Sequence, residues 1–332
     1  METIRKLLGT VTASALLLIL LAASSIQAAE IKIALDCPPD PEKCGTYVWS
    51  HAFANHLKAN GLATKEYATE ALGGEDEKLD QVSQGLLEVS NSLLTKVGTV
   101  DPAINGFWLF FMWDSYEHLD RVINESDLLD WINSRLVKKG VRVLAPIPVG
   151  GFSGIANTKR PIMSPADLKG LRMRATDKIQ AEYLKAWGSS TVIIPWPEIY
   201  NSLQTGVADG YLNPAIVPIL FKHTEVIKHY ADVRIGAPLR VAIASQEWYA
   251  GLSDKDRKIV DDAVSAANKA NRKWLSGITT MSIAGLKKAG VKVTVPSAEQ
   301  RAAFGDLAKP VYPQVVPEEI LKRFLAAAEK YR

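Results

Sequence analysis

Two arginines stand two positions apart in the stretch 171–175 (LRMRA), and Arg172 and Arg174 offer the plainest chemistry in the chain. A guanidinium is planar and always charged, and it meets a carboxylate through two parallel hydrogen bonds. On a strand, residues two apart share a face, so periodicity alone does not choose between the two. Cys37 and Cys44 are the only cysteines and bracket the segment CPPDPEKC. In an oxidising compartment such a lone, close pair is most simply a disulfide. A metal site would need further ligands, and His51 and His56, five apart on an apparent helix, share no face. His223 and His229 read as six apart within one helix, on different faces, and His118 stands alone. The stretch 151–155 (GFSGI) fails the last position of a nucleophile elbow. The chain has no H-E-x-x-H, no dinucleotide glycine pattern and no phosphate-binding glycine loop. The expectation is therefore no cofactor and no metal, with a secreted hydrolase or lyase kept as a minor alternative.

Elements must position these groups, and composition says they can form. Of 332 residues 47% are hydrophobic and 23% charged, which excludes a disordered or low-complexity chain. The formal charge of +3 gives no electrostatic reason to expect nucleic acid. Residues 1–28 read as a signal peptide: Arg5 and Lys6, an apolar run over 7–21, then small residues to Ala28. That run falls short of the ~20 residues that span a bilayer, which disfavours an uncleaved anchor.

Beyond it, the pattern predicts strands at 31–35, 62–68 and 86–94 with helices at 46–60 and 75–85 between them. That order indicates an α/β domain with a largely parallel sheet. The aromatic stretch 105–122 reads as a packed loop and helix start rather than a ligand surface. A helix at 128–139 and a strand at 141–145 follow. A second α/β unit reads as strands at 152–157, 171–175, 191–195 and 208–214, with helices at 179–187 and 197–205. Strands at 241–245 and 290–295 and a terminal helix at 317–331 complete the pattern. Ser253 caps a helical run to 289, on the order of 50 Å long at 1.5 Å per residue, enough to brace two lobes. Two lobes without a catalytic signature suggest capture of a small molecule in a closing cleft.

Three segments carry a family resemblance: NTKRP at 157–161, SPADLKGLRMR at 164–174 and IPWPEIYNSLQTGVADGYLNP at 194–214. They are similar to the solute-binding proteins of tripartite ATP-independent periplasmic (TRAP) transporters, the C4-dicarboxylate-binding type. Further similarities at 72–85, 107–122 and 241–256 extend the match over nearly all the mature chain. The resemblance implies a two-lobed α/β periplasmic binding protein fold, type II-like, with the ligand between the lobes and a long helix spanning both. It implies lobe one at 29–151 plus 239–278 and lobe two at 152–238 plus 279–332. The implied role is capture of a small carboxylate in the periplasm and delivery to TRAP membrane subunits, without catalysis, with a monomer as the default state. Another uptake or sensor system is the alternative.

By the same resemblance Arg174 pairs with the ligand carboxylate, Asn213 grips a carboxylate or hydroxyl, and Trp196 faces the ligand. Ser90 and Asn91, with Ser92, end a lobe-one strand at the cleft. Many members carry a second arginine where ungapped counting places Gly154. Two expectations follow from that departure. Either Arg240 supplies the second positive group, or the ligand is a less polar monocarboxylate contacting Trp196 and the aromatics of 107–116.

Overall fold

The computed structural model describes residues 30–332, so the expected signal peptide at 1–28 lies outside the described residues. Two sheets organise the chain. The first has the order β2-β1-β3-β10-β4, built from β1 (Ile31–Ala34), β2 (Thr64–Tyr67), β3 (Val89–Leu93), β4 (Val141–Pro148) and the distant β10 (Leu239–Ser245). The second has the order β11-β9-β5-β8-β6-β7. Its strands are β5 (Gly154–Asn157), β6 (Arg172–Ala175), β7 (Ser190–Ile193), β8 (Gly210–Asn213), β9 (His229–Ala231) and β11 (Lys292–Thr294).

The expected largely parallel first sheet is mixed. β1, β2 and β3 are parallel, but β10 returns from the second sheet and runs antiparallel to both β3 and β4. β4 is longer than its apolar pattern because it continues through Pro146 and Pro148, which an edge strand tolerates. His223 and His229 do not share a helix. His229 opens β9, three residues long and paired on both sides, too short to leave a periodic signal.

The chain crosses between the sheets at 149–153 and again at 232–238. These segments bond each other: Ser153 N–H donates to Gly236 O at 3.0 Å and Ile235 N–H to Ser153 O at 2.9 Å. The 35-residue helix Asp254–Lys288 lies along both sheets, its start capped by the Ser253 hydroxyl. Toward the first sheet, Asn271 donates from one amide to Gly45 O and Pro148 O. Further on, Leu275, Ile278 and Leu286 bury against Ile216, Val217 and Tyr211 beneath the second sheet.

The aromatic stretch is core. Phe110 stacks on Tyr183 at 4.2 Å, and Phe107 meets Phe324 edge-on at 5.2 Å. The terminal helix Glu318–Lys330 therefore lies on the segment 102–125, and His118 Nε2 reaches Ala328 O at 2.8 Å. The expected division puts this helix in lobe two, whereas these contacts join it to residues of lobe one. Cys37 and Cys44 form the expected disulfide, and Cys44 caps the helix Gly45–Ala59.

Candidate functional site

β6 separates the two arginines that periodicity left equivalent. Arg172 opens the strand at the solvent edge, exposed and hydrogen-bonded to Gly206 O. Arg174 lies two residues deeper and is 3% exposed. Its Nε donates to Ile194 O at 2.9 Å, while Nη1 is buried with no hydrogen-bond partner. Among the described residues no carboxylate lies within ion-pair distance of it. Burial pulls its pKa down to about 10, although Asp177 and Tyr211 nearby oppose the shift. A buried guanidinium with an idle N–H costs free energy until an anion meets it.

The surroundings of Arg174 follow from register. Arg174 pairs with Tyr211 of β8, so both project from one face, and Asn213 follows two residues on from Tyr211. Tyr211 bonds His223 Nδ1 at 2.9 Å, and Trp196 packs edge-on to Phe221 at 4.8 Å. The Arg174 Cζ stands 5.8 Å from the Trp196 ring centroid, within cation–π range. Burial, then the charge of Arg174, holds His223 down to a pKa of about 4, so its ring is neutral at pH 7. Asn213 sits opposite Gly154, and its carbonyl accepts from the Tyr230 hydroxyl at 3.1 Å. A Cβ at position 154 would stand 2.4 Å from Ala231 O and 2.5 Å from the Tyr230 hydroxyl. No longer side chain fits there while Tyr230 keeps its place.

The first sheet presents a different arrangement. Arg240 is not a free cation: its Nε donates to Asp36 at 2.8 Å and its Nη1 to Glu75 at 2.8 Å. Burial alone would lower its pKa, but Glu75 and Asp36 outweigh that and raise it. Asn91 donates to Asp36 at 3.1 Å and to the Ser50 hydroxyl at 2.8 Å, leaving its own Oδ1 buried and unpartnered. Ser90 and Ser92 are fully buried, and the Ser92 hydroxyl has no partner.

These two groups meet across the sheets. Thr95, just past β3, donates to the Asp177 carboxylate at 2.9 Å, just past β6. The carboxyl ends of β3 and β6 therefore face each other, the place where open α/β sheets hold ligands. Asp36, Thr95, Asp177 and Tyr211 were not singled out from the sequence, and His223 was read only as a histidine in no metal set. Two of them carried a usable signal. Asp36 follows the first parallel strand, and Tyr211 shares the alternation of Asn213.

A cavity of about 630 Å³ lies elsewhere, between the crossing segments and the long helix, lined by Tyr116, Phe152, Arg234 and Arg272 among others. Its Arg272 is committed to Asp120, and Tyr116 donates to Gly150 O, so it backs the crossing rather than the facing strand ends.

Comparison with known proteins adds a lineage. Residues 50–319 match the family described as bacterial extracellular solute-binding protein, family 7. The ectoine-binding periplasmic protein TeaA of Halomonas elongata is 28% identical over 84% of this chain and 85% of its own. The C4-dicarboxylate-binding periplasmic protein DctP of Rhodobacter capsulatus is 26% identical over 98% of each chain. A TRAP periplasmic solute-binding protein from Polaromonas sp. JS666, solved with bound D-erythronate, superposes with a TM-score of 0.80 at 26% identity. That match covers 90% of this chain and 97% of the other.

Proposed function

The chain belongs to the bacterial extracellular solute-binding proteins of family 7, and on that premise we propose that it captures a small organic acid for a TRAP-type secondary transporter. One observation carries the proposal: the buried Arg174, whose Nη1 has no partner, at strand ends that face the other sheet. Such a group binds a carboxylate with charge-assisted, bidentate geometry, and a closed cleft shields the pair from water. Asn213 and Trp196 complete the wall on that side. Ser90, Asn91 and Arg240 belong to the opposite wall, where Arg240 acts chiefly by holding Asp36 and Glu75. The lobes divide at the two crossing segments, with the terminal helix returning to the first.

Relatives named for ectoine, C4-dicarboxylates and D-erythronate support an acid as ligand. We read the chain as an exported, periplasmic monomer, cleaved near Ala28, that binds and releases without turnover. Thermal-shift screening of the mature protein against organic acids tests the proposal. A ligand at 100-fold its Kd stabilises by about 2.7 kcal/mol. The expected hits are carboxylates whose shifts vanish in Arg174→Ala. Hits that survive that substitution, or hits confined to neutral solutes, refute it.

A further inference from the structure

We infer that Tyr230 is a positioning residue for ligand capture: its buried hydroxyl holds the Asn213 end of β8 against the two crossing segments, so that the Asn213 amide meets the ligand at a fixed place. This rests on the reading of Asn213 as a ligand contact and adds the residue that sets it.

Register places the group. Across the second sheet Arg174 pairs with Tyr211, Tyr211 with Ala156 and Ala156 with Tyr230. One row of side chains therefore runs over β6, β8, β5 and β9 on a single face. Asn213, two residues beyond Tyr211, shares that face. Tyr230 is 1% exposed, and its ring belongs to the same apolar cluster as Leu275, Ile278 and Leu286 of the long helix. Burial holds its pKa well above the ordinary phenol value, so the O–H stays a donor. The acceptor is the Asn213 carbonyl at 3.1 Å. Tyr211, by contrast, spends its hydroxyl on His223.

The end of β8 has few other restraints. Its pairing with β6 stops at Tyr211, so Asn213 has a strand neighbour on the β5 side only. Pro214 follows and has no N–H to donate. The first crossing presses on that proline, since a Cβ at Gly150 would stand 2.9 Å from Pro214 Cγ. Gly154, just past the same crossing, lies opposite Asn213 and leaves the phenol its room. Tyr230 itself comes two residues before the second crossing begins at 232. One hydroxyl thus refers Asn213 to both segments at which the lobes divide. Among the described residues no hydrogen bond uses the Asn213 side-chain amide, which leaves its donors and its acceptor for a ligand. Hydrogen bonds weaken steeply with misalignment, so a backbone that wanders at Asn213 costs affinity although Tyr230 need not touch the ligand.

A double-mutant cycle on the mature protein tests this by calorimetry. The probe is the tightest acid of the thermal-shift screen, with D-erythronate, ectoine and succinate in the set. Tyr230→Phe keeps the ring, removes only the hydroxyl and should weaken binding about 5-fold. Asn213→Ala should weaken it about 10-fold or more. In the Asn213→Ala background, Tyr230→Phe should change affinity by less than about 2-fold, because no amide remains to be aimed. A merely structural phenol would give the same loss in both backgrounds, and that additive result overturns the inference. Unchanged affinity in Tyr230→Phe does so too. Circular dichroism and the ligand-free thermal midpoint check that the variants are folded, and Tyr230→Met carries the same cycle if the phenylalanine variant is not. If Asn213→Ala binds normally while Arg174→Ala does not bind, the inference falls and carboxylate capture stands. If no acid of the screen binds, carboxylate capture itself fails, and the inference with it.

Discussion

Arg174 and Arg240 are the same residue type, each on a strand, Arg174 buried and Arg240 partly buried, yet the two sheets use them in opposite ways. Arg240 spends its guanidinium on Asp36 and Glu75, residues remote in sequence but adjacent at the ends of β1 and β3. Arg174 has one backbone carbonyl and an idle Nη1. The difference teaches that a buried arginine becomes a ligand group only when the fold withholds its partners. Charge availability is set by neighbours, and the expectation that Arg240 compensates for Gly154 overlooked the two acids waiting for it.

The sharpest way to break this comparison is to remove each cation in turn. Arg240→Met leaves the Asp36 and partly exposed Glu75 carboxylates without their counter-charge and should destabilise the protein by roughly 3 kcal/mol, read from denaturant unfolding. Arg174→Met should not lower ligand-free stability, since it removes a charge nothing pairs with. Equal losses in the two variants would erase the distinction. Affinity moves the other way. Arg174→Ala should cost roughly 2–5 kcal/mol of carboxylate binding by calorimetry.

A smaller effect comes from the support behind Arg174. His223 titrates at about 4 when folded, below the ordinary value of 6.5, because burial and Arg174 disfavour its charged form. Between those values the unfolded chain binds the extra proton, so stability rises with pH through that window. The contribution is present above about pH 6.5 and is lost as pH falls toward 4, roughly 3 kcal/mol in all. His223→Gln should flatten that part of the stability–pH profile. A profile with the same slope as the parent would show that His223 titrates normally.

The smallest effect belongs to the contact between the two walls. Thr95→Val removes the hydroxyl that meets Asp177 and should weaken ligand binding by about 1 kcal/mol, chiefly through faster release. Stopped-flow dissociation reads this directly, and an unchanged off-rate would mean the contact does not stabilise the closed form.

The α/β alternation was legible because amphipathic helices and short apolar strands have periods that sequence displays. The long helix was legible because Ser253 begins it and no proline follows before its end, although Gly277 and Gly285 lie within it. Strand direction was not: β10 reads like any apolar strand, and nothing local says that it enters from the second sheet. β9 was lost because three residues show no period. In the site, Arg174 was distinguished from Arg172 by motif resemblance alone, since alternation gives both the same face. Depth along β6, a property of where the strand begins relative to its neighbours, separates them.

Residue types and local spacing, taken alone, determine that this chain forms helices and strands in alternation, closes the Cys37–Cys44 loop and carries an arginine suited to a carboxylate. Local propensity and side-chain chemistry act within a few residues, so one sequence suffices to read them. Which arginine is unpaired, which acids hold the other and which strand ends oppose each other depend on contacts between segments up to about two hundred positions apart, as Arg240 and Asp36 are. Electrostatic energy depends on distance and burial in space, and only the packed chain sets those.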